Sequence, residues 1–293
     1  MKDNINIKVV TALATLYLAW SSTYLAIHFA LESFPPFFTA GFRYMLVGLC
    51  MFLYLRLQGA PAPNRAEWQG SAIVGSFLLL GGTGGVVYAM QWVGSGTAAL
   101  VIATTPIWTV LFAAIWKQRP ARNEWIGLLL GFAGVVLLNI RGDLRAQPFG
   151  AVLLLLSAAS WSFGSVLSLR MTLPAGMMAS ALQMFTGGLL VLGISFLSGE
   201  HIPEHPSMRS VGGLIYLTIF GSLLGYTAYT YLLKHVRSSL ATSYSYVNPV
   251  LAVLLGVWFA GERVTVTGIV AMLTILAGVV LVIVGQEKSE SDE

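Results

Sequence analysis

Arg43 is the one ionisable side chain that lies well inside an apolar segment of this chain. It stands about seven or eight residues from the nearer end of that segment, which corresponds to roughly 11 Å along a helix at about 1.5 Å per residue. Burial at that depth in a bilayer costs at least about 2.5 kcal/mol unless the group is paired or hydrated. Since no carboxylate lies at a similar depth, its partner should be backbone carbonyls, water or an anionic substrate group. Contact with a substrate or gate, and anchoring of neighbouring helix ends, both remain open.

Aromatic and amide side chains take the place of charge in the other apolar segments. Trp20 and Trp161 stand at equivalent points of two similar halves, and Tyr244 and Asn248 are spaced i, i+4, so that they share one face of a helix. Such residues can stack on an apolar body and hydrogen-bond its polar end, although some of them belong to the core or to the interfacial belt. The candidate substrate-binding residues are Trp20, Tyr24, Arg43, Tyr88, Trp108, Trp161, Tyr226, Tyr244 and Asn248.

Pro106 and Pro249 occupy corresponding places near the middle of two apolar segments. Proline cannot donate to the carbonyl four residues back, so the carbonyls of Ile102 and Ser245 need partners inside the protein or in a wet cavity. Paired breaks at equivalent positions are typical of transporter binding sites. Kinks that only shape helix packing are the alternative.

The acidic residues argue against several kinds of chemistry. All 12 Asp and Glu residues lie in loops, at segment ends or in the tail, so no buried carboxylate is available to carry protons. Cys50 is the single cysteine, which excludes an internal disulfide or a thiolate metal cluster. A membrane-embedded enzyme would need paired intramembrane aspartates, a His-Glu-xx-His helix, or a serine with a nearby histidine. The sequence has none of these, so we expect no enzyme activity, no metal and no cofactor.

The composition identifies an integral membrane protein. Apolar residues make up 56% of the chain and charged residues 10%, whereas soluble domains carry roughly 25% charged residues. Stretches of about 20 apolar residues, each long enough to span a bilayer as a helix, predict ten transmembrane helices in an all-α bundle. They cover residues 9–30, 36–56, 70–91, 97–116, 122–140, 148–169, 175–197, 210–233, 239–260 and 265–285.

The chain repeats itself at half-length. A shift of about 140 to 144 residues sets Trp20-Ser21 on Trp161-Ser162 and Pro106 on Pro249. Each copy holds five helices, an odd number, so the second copy must be inverted in the bilayer, as in many secondary transporters. We expect one five-helix repeat over residues 1–142, a second over 143–286, and a polar, disordered cytoplasmic tail over 287–293.

The distribution of basic residues predicts that both termini are cytoplasmic. With this orientation 11 Lys and Arg residues face the cytoplasm and 4 face the other side, which satisfies the positive-inside rule. The cytoplasmic set is Lys2, Lys8, Arg56, Arg65, Lys117, Arg119, Arg122, Arg170, Lys234, Arg237 and Lys288, and the opposite set is Arg141, Arg145, Arg209 and Arg263. Because these residues are scattered over loops and form no stripe, they do not indicate a nucleic-acid partner.

Glycines cluster at two kinds of place. The run Gly81-Gly82-Thr83-Gly84-Gly85 lies in the middle of the third helix and lacks the lysine of a phosphate loop, which favours close helix packing or a hinge. Gly127 and Gly131 in the fifth helix, with Gly268 and Gly278 in the tenth, predict packing faces, and dimerisation through them is a further possibility. The protein is therefore expected to be a monomer or a homodimer.

Several motifs together resemble EamA-type exporters of the drug/metabolite transporter superfamily. They are the five-plus-five repeat, Trp20-Ser21-Ser22-Thr23-Tyr24, Leu173-Pro174-Ala175-Gly176-Met177-Met178, and the run from Ala241 to Val250, ATSYSYVNPV. The resemblance covers essentially the whole chain. It implies a central cavity walled mainly by the first, third, fourth, sixth, eighth and ninth helices, with the fifth and tenth outside. Small four-helix multidrug relatives carry a glutamate in the first helix, and residues 17–24 have none.

The function expected from these features is export of small amphipathic metabolites, amino acids or related compounds, across a bacterial inner membrane by alternating access. The absence of a buried acid favours facilitated or weakly coupled transport. A passive facilitator or channel for small neutral solutes, a multidrug or toxic-compound exporter, and a structural or assembly protein are the alternatives. The partners expected are a small-molecule substrate and the lipid bilayer.

Overall fold

Every regular element that the structure describes is a helix. The computed structural model describes residues 7–115, 125–127, 129–131, 133–134, 137, 148–235, 244–261 and 263–291. In the first half the helices are α1 (Ile7–Ala30), α2 (Pro36–Leu57), α3 (Arg65–Gly75), α4 (Gly85–Ala89), α5 (Ser95–Ile102) and α6 (Thr105–Ile115). In the second half they are α7 (Pro148–Ser168), α8 (Met177–Leu197), α9 (Met208–Tyr216), α10 (Tyr226–His235), α11 (Tyr244–Ala260) and α12 (Val266–Ser291).

Within the described part of the chain, seven helical stretches are long and apolar enough to cross a membrane. They are Ile7–Ala30, Pro36–Leu57, Arg65–Ala89, Ser95–Phe112, Pro148–Ser168, Met177–Leu197 and Met208–Tyr229. Two shorter apolar helices cover Val247–Ala260 and Val266–Gly278. The predicted fifth helix, over residues 122–140, falls largely outside the described residues. An all-helical membrane bundle is therefore confirmed, and the ten-helix inverted repeat stays a prediction.

The buried side chains form a core between the helices, while the outer surface is apolar as well. The largest cluster includes Val87 and Leu154, and a second one includes Leu79 and Met184. Large apolar side chains that face outward from the bundle include Leu18, Leu57, Phe196, Trp258 and Leu273. An apolar exterior of this kind is suited to lipid and unsuited to water.

Helices α2 and α8 cross in an antiparallel pair whose backbones touch at glycines. A Cβ on Gly48 would lie 2.2 Å from the backbone nitrogen of Phe185, and one on Gly188 would lie 2.3 Å from that of Met45. These two contacts are related by the internal repeat. The same shift along the chain that takes Gly48 to Gly188 also takes Met45 to Phe185. Small residues permit such close approach of helices in a membrane, where the hydrophobic effect contributes little to helix association.

Two π-helical segments interrupt equivalent helices of the two halves. Ser76–Gly84 joins α3 to α4, and Leu217–Gly225 joins α9 to α10, and each is 9 residues long. The wider π turn misaligns the backbone hydrogen bonds that an α-helix would make, and such turns are frequent at functional sites. The glycine run at residues 81–85 thus lies in and directly after the first π-helical segment, where Gly81 and Gly85 also pack closely on Ser160 and Ser157.

Side chains from the opposite half bind carbonyls of both π-helical segments. Ser160 Oγ on α7 donates to the Phe77 carbonyl at 2.7 Å, and Trp20 Nε1 on α1 donates to the Gly221 carbonyl at 3.2 Å. Since lipid offers no donors, these bonds stabilise the irregular backbone. They also tie each π-helical segment to the other half of the chain.

The two prolines differ in their surroundings. Pro249 lies inside α11, as predicted, whereas Pro106 is the second residue of α6, after a break that separates α5 from α6. The kink or hinge at Pro106 stays a prediction, and the helical stretch Ser95–Phe112 is interrupted just before this proline. A proline suits the first turn of a helix, because the missing N–H has no intrahelical acceptor there. The Ile102 carbonyl instead accepts a hydrogen bond of 2.5 Å from Thr105 Oγ1.

Polar contacts tie together the loops at the end of the bundle where α2 begins. The Glu200 carboxylate accepts from the backbone N–H groups of Phe37 at 3.0 Å and of Phe38 at 2.8 Å. These donors belong to the first turn of α2 and have no intrahelical acceptor. Nearby, Arg209 pairs with Glu32 at 3.3 Å, so the start of α9 is held against the end of α1.

The carboxyl-terminal helix and its packing also bear on the sequence predictions. Helix α12 continues to Ser291, so the predicted disorder of the tail was wrong for residues 287–291. Gln, Glu and Lys favour helix continuation.

A Cβ on Gly278 would lie 2.6 Å from the Gly127 carbonyl oxygen and 2.7 Å from the Gly131 nitrogen. The predicted packing face is confirmed, and it is used within the chain.

The contact between α2 and α8 predicts a sharp difference between two glycines of one helix. Gly188→Ala should destabilise the protein by about 2 kcal/mol, because the new methyl group meets backbone that cannot move away. Gly193→Ala is the matched control, since nothing lies within 4 Å of a Cβ there, and it should be neutral or slightly stabilising. Thermal unfolding in detergent micelles measures both. Equal stability of the two variants would show that the helices do not touch at Gly188.

The cap on α2 predicts a second difference, between two glutamates of one loop. Glu200→Ala should lower stability by about 1 kcal/mol, because two N–H groups at a helix start lose an anionic acceptor. Glu204→Ala removes the same charge from an exposed position of that loop and should have little effect. Thermal unfolding of the two variants side by side tests the cap, and a larger loss for Glu204→Ala would contradict it.

Candidate functional site

A central cavity of about 120 Å³ lies between the two halves of the bundle. For comparison, a cavity of about 150 Å³ holds one benzene molecule, so the space suits a single small molecule. The lining residues are Trp20, Thr23, Tyr24, Ile27, Arg43, Tyr44, Gly82, Thr83, Val86, Ala99, Ile102, Ala103, Thr105, Ser157, Ala158, Trp161, Gly221, Tyr244, Asn248 and Pro249. They come from the predicted first, third, fourth, sixth, eighth and ninth helices, which are the six that the family resemblance implies, and in addition from α2.

Seven of the predicted residues line this cavity and four do not. The lining set is Trp20, Tyr24, Arg43, Trp161, Tyr244, Asn248 and Pro249. Tyr88 instead stacks on Phe37 at a centroid distance of 4.9 Å. Trp108 stacks on Phe112 at 6.3 Å. Tyr226 is buried and donates to Gln183 Oε1 at 3.1 Å. Pro106 is not part of the lining, although the preceding residue, Thr105, is.

Arg43 is only 2% exposed, and its side chain forms part of the cavity wall. The Cζ atom lies 4.5 Å from the centre of the Tyr44 ring, where the face of the ring attracts the guanidinium. Nε has no hydrogen-bond partner. The one ion pair among the described residues joins Arg209 to Glu32, so no described carboxylate neutralises Arg43.

The guanidinium reaches from α2 towards the second π-helical segment. A Cβ added to Gly221 would lie 3.3 Å from Arg43 Nη1 and 2.8 Å from the methyl group of Thr23. Glycine at this position therefore leaves space for the arginine head. In this way the irregular backbone of the π-helical segment and the buried charge share one side of the cavity.

Aromatic rings form another part of the wall. Trp20 and Trp161 meet edge to face with centroids 6.2 Å apart. Tyr244 meets Trp20 in the same manner at 4.8 Å, and Tyr229 lies 5.2 Å from Trp20 and 5.9 Å from Tyr244. Contacts of this geometry are favourable for aromatic pairs, so Trp20 is held by several rings in addition to its bond to Gly221.

Polar groups connect the cavity helices to each other. Ser21 Oγ on α1 donates to Asn248 Oδ1 on α11 at 2.9 Å, one residue before Pro249. Ser162 Oγ on α7 donates to the Thr105 carbonyl at 2.8 Å. Two of the lining residues, Tyr44 and Thr83, have hydroxyl oxygens 3.5 Å apart. The lining is thus amphipathic, with one cation, several hydroxyl groups and apolar or aromatic surface.

Sequence reasoning missed several lining residues. Tyr44 follows Arg43 directly, and Thr83 lies in the glycine run, so both stood beside features already noted. Gly221 carries no comparable signal, because a single glycine in an apolar segment does not reveal a π turn. Among the residues that the structure describes, no group of three or more His, Cys, Asp or Glu could hold a metal ion.

Comparison with known proteins gives a consistent result. The chain matches the EamA-like transporter family twice, over residues 7–140 and 148–284. It is 41% identical to the uncharacterized inner membrane transporter YedA of Escherichia coli strain K12, with 94% of this chain and 90% of that protein covered. It is 25% identical to protein PecM of Dickeya dadantii strain 3937, with 90% of this chain and 88% of that protein covered.

A solved structure, described as a crystal structure of protein, has a similar fold. The TM-score is 0.65 at 21% sequence identity, and the match covers 94% of this chain and 96% of that one. At this identity the likeness concerns the fold alone. The two family matches, which together span most of the chain, and the identity of 41% lead to one conclusion: the protein is a transmembrane transporter of the EamA-like family.

Proposed function

We propose that the protein is an inner-membrane secondary transporter that exports small amphipathic metabolites, amino acids or related compounds. The observation that carries the proposal is the cavity between the two halves, which combines one buried cation with aromatic and apolar walls. A carrier of the alternating-access type needs such a site near the middle of the membrane. The name of the E. coli relative, an inner membrane transporter, supports the location.

The substrate would lie against Trp20, Tyr24, Trp161 and Tyr244, with its polar end near Arg43 or Asn248. The volume of about 120 Å³ favours a molecule with about one ring or a short aliphatic body. Aromatic side chains are suited to such bodies, since they offer large contact area with few rotatable bonds. In this proposal Tyr88, Trp108 and Tyr226 support the cavity helices from outside its lining.

Movement would come from the two halves, residues 1–142 and 143–286, rocking against each other around this cavity. The backbones of α2 and α8 meet at Gly48 and Gly188, one glycine from each half, and this close crossing supports a pivot at that place. Both π-helical segments contribute residues to the cavity lining. In this proposal they are the points at which the helices bend during the movement. With both termini in the cytoplasm, the Glu200 end of the bundle would face outward.

Coupling to protons would be weak. No Asp, Glu or His lines the described cavity, and the acids whose contacts the structure gives have roles outside it: Glu32 pairs with Arg209, and Glu67 and Glu200 cap helices. Exchange driven by a carboxylate in the site would need such a group within reach of the substrate. The transporter would therefore carry its substrate down the substrate's own gradient.

The proposal predicts saturable flux that depends on the cavity tryptophans. In proteoliposomes holding the purified protein, labelled amino acids and related acids should enter with counterflow, and Trp161→Ala should reduce kcat/KM about tenfold, the effect of about 1.4 kcal/mol of lost contact. Trp258→Ala is the matched control, since Trp258 is 70% exposed on the outer surface of α11. Flux without saturation or counterflow would instead indicate a passive channel.

The lining also predicts the response to a proton gradient. Flux of a transported compound should persist when the pH gradient across the proteoliposome is collapsed, because no described acid in the cavity can carry a proton. The comparison uses the same vesicles with and without an imposed gradient. Flux that rises strictly with the gradient and vanishes without it would contradict weak coupling while leaving the carrier itself intact.

A further inference from the structure

We infer that the cavity recognises a small organic carboxylate, with Arg43 as the group that binds the carboxylate and the aromatic wall as the surface that receives its apolar body. This inference rests on the proposed function and narrows it, because it assigns the substrate class of the same site. It also assigns Arg43 to ligand binding and not to the anchoring of neighbouring helices.

Arg43 lacks a counter-charge among the described residues. Arg43 is 2% exposed, and its Nε has no hydrogen-bond partner. Buried charges in proteins are normally paired or hydrogen-bonded, since their desolvation is costly. The face of the Tyr44 ring, 4.5 Å from Cζ, attracts the cation but accepts none of its in-plane N–H groups. A ligand that carries a negative charge into the cavity would supply what the described residues do not.

The guanidinium of Arg43 lies where a ligand in the cavity can reach it. Arg43 lines the cavity, and the absence of a side chain at Gly221 leaves room for Nη1 beside the π-helical segment. An arginine that only anchored helix ends would direct its N–H groups at backbone carbonyls, as Arg56 and Arg209 do, whereas no such bond from Arg43 is found among the described residues. The planar fork of a guanidinium matches a carboxylate, with two parallel N–H donors for two oxygens.

The rest of the lining is mostly apolar and aromatic. Ile27, Val86 and Ile102 supply aliphatic surface, and Trp20 and Trp161 supply rings. This wall suits a body of about the size of one ring. A molecule with a single carboxylate and an apolar body would therefore use both parts of the site at once.

The charge of the site also ranks the possible carboxylates. The described lining holds one cation and no anion, so a monocarboxylate neutralises it. A zwitterionic amino acid brings an ammonium group, for which the described lining offers ring faces, hydroxyl oxygens and the Asn248 amide but no anion. We expect a monocarboxylate to bind more tightly than the amino acid with the same body, and both more tightly than the uncharged amide.

Binding to the purified full-length protein tests this ranking. Phenylacetate, phenylglycine and phenylacetamide share one apolar body, and isovalerate with isovaleramide gives a second acid and amide pair. Thermal unfolding in detergent across a concentration series yields the apparent Kd of each compound. Phenylacetate should bind more tightly than the amino acid with the same body. Each amide should bind at least about tenfold more weakly than its acid, as expected when a charge-assisted pair is lost.

Substitution of Arg43 then assigns the preference to one residue. Arg43→Gln should abolish the difference between acid and amide. Arg56→Gln, an exposed arginine on the same helix α2, should leave it unchanged. If Arg43→Gln does not fold, Arg43→Lys provides the test: it keeps the charge and loses the planar fork, so acids should bind more weakly than to the wild type but still better than amides.

Three results would overturn the inference: amides that bind as tightly as their acids, an acid preference that survives Arg43→Gln, or an acid preference lost in Arg56→Gln. Its failure can be told apart from failure of the proposed function. Saturable flux and counterflow of compounds without acid preference would keep the transporter and reject the carboxylate site. Acid-specific binding without any flux would keep the carboxylate site and reject the proposed transport.

Discussion

The structure depends above all on one constraint of the bilayer, which offers no hydrogen-bond partners to the backbone. At three departures from regular α-helix in the described chain, a side chain binds a backbone carbonyl. Ser160 binds the Phe77 carbonyl, Trp20 binds the Gly221 carbonyl, and Thr105 binds the carbonyl of Ile102. Because the first two donors belong to the opposite half of the chain, the two π-helical segments are stabilised where the halves meet, and that is also where the cavity lies.

The cavity thus combines two costly features, irregular helices and a buried charge, in a setting that reduces the cost of both. Glycine serves each of them. At Gly221 the missing side chain gives room to Arg43, and at Gly48 and Gly188 it lets α2 and α8 touch. Arg43 lies on α2, close to this crossing, so the charge is carried by a helix that packs tightly. A buried cation on a loosely packed helix could turn away from the cavity towards the membrane surface.

Much of this arrangement could be predicted from the sequence, for reasons that differ between residues. Helix positions follow from apolar length, and the cavity position of Trp20 and Trp161 follows from the internal repeat. The burial of Arg43 follows from its depth in an apolar segment. The π-helical segments could not be predicted, because periodicity does not reveal where a turn widens. The rotation of each helix was equally hidden, so that Tyr88 and Tyr226 turn to Phe37 and Gln183 instead of the cavity. The break before Pro106 depends on the Thr105 side chain, a local competition that apolar patterns do not show.

The crossing of α2 and α8 has a consequence for biogenesis. Its two helices are far apart in the chain, so α2 is made and inserted long before its partner exists. During that interval its glycine surface faces lipid or the insertion machinery, with the Arg43 side chain on the same helix. Non-local contacts of this kind are formed late and slow the assembly of a fold. Until α8 is inserted, the first half of the protein therefore lacks the surface that packs on α2, and the charge of Arg43 is not yet enclosed.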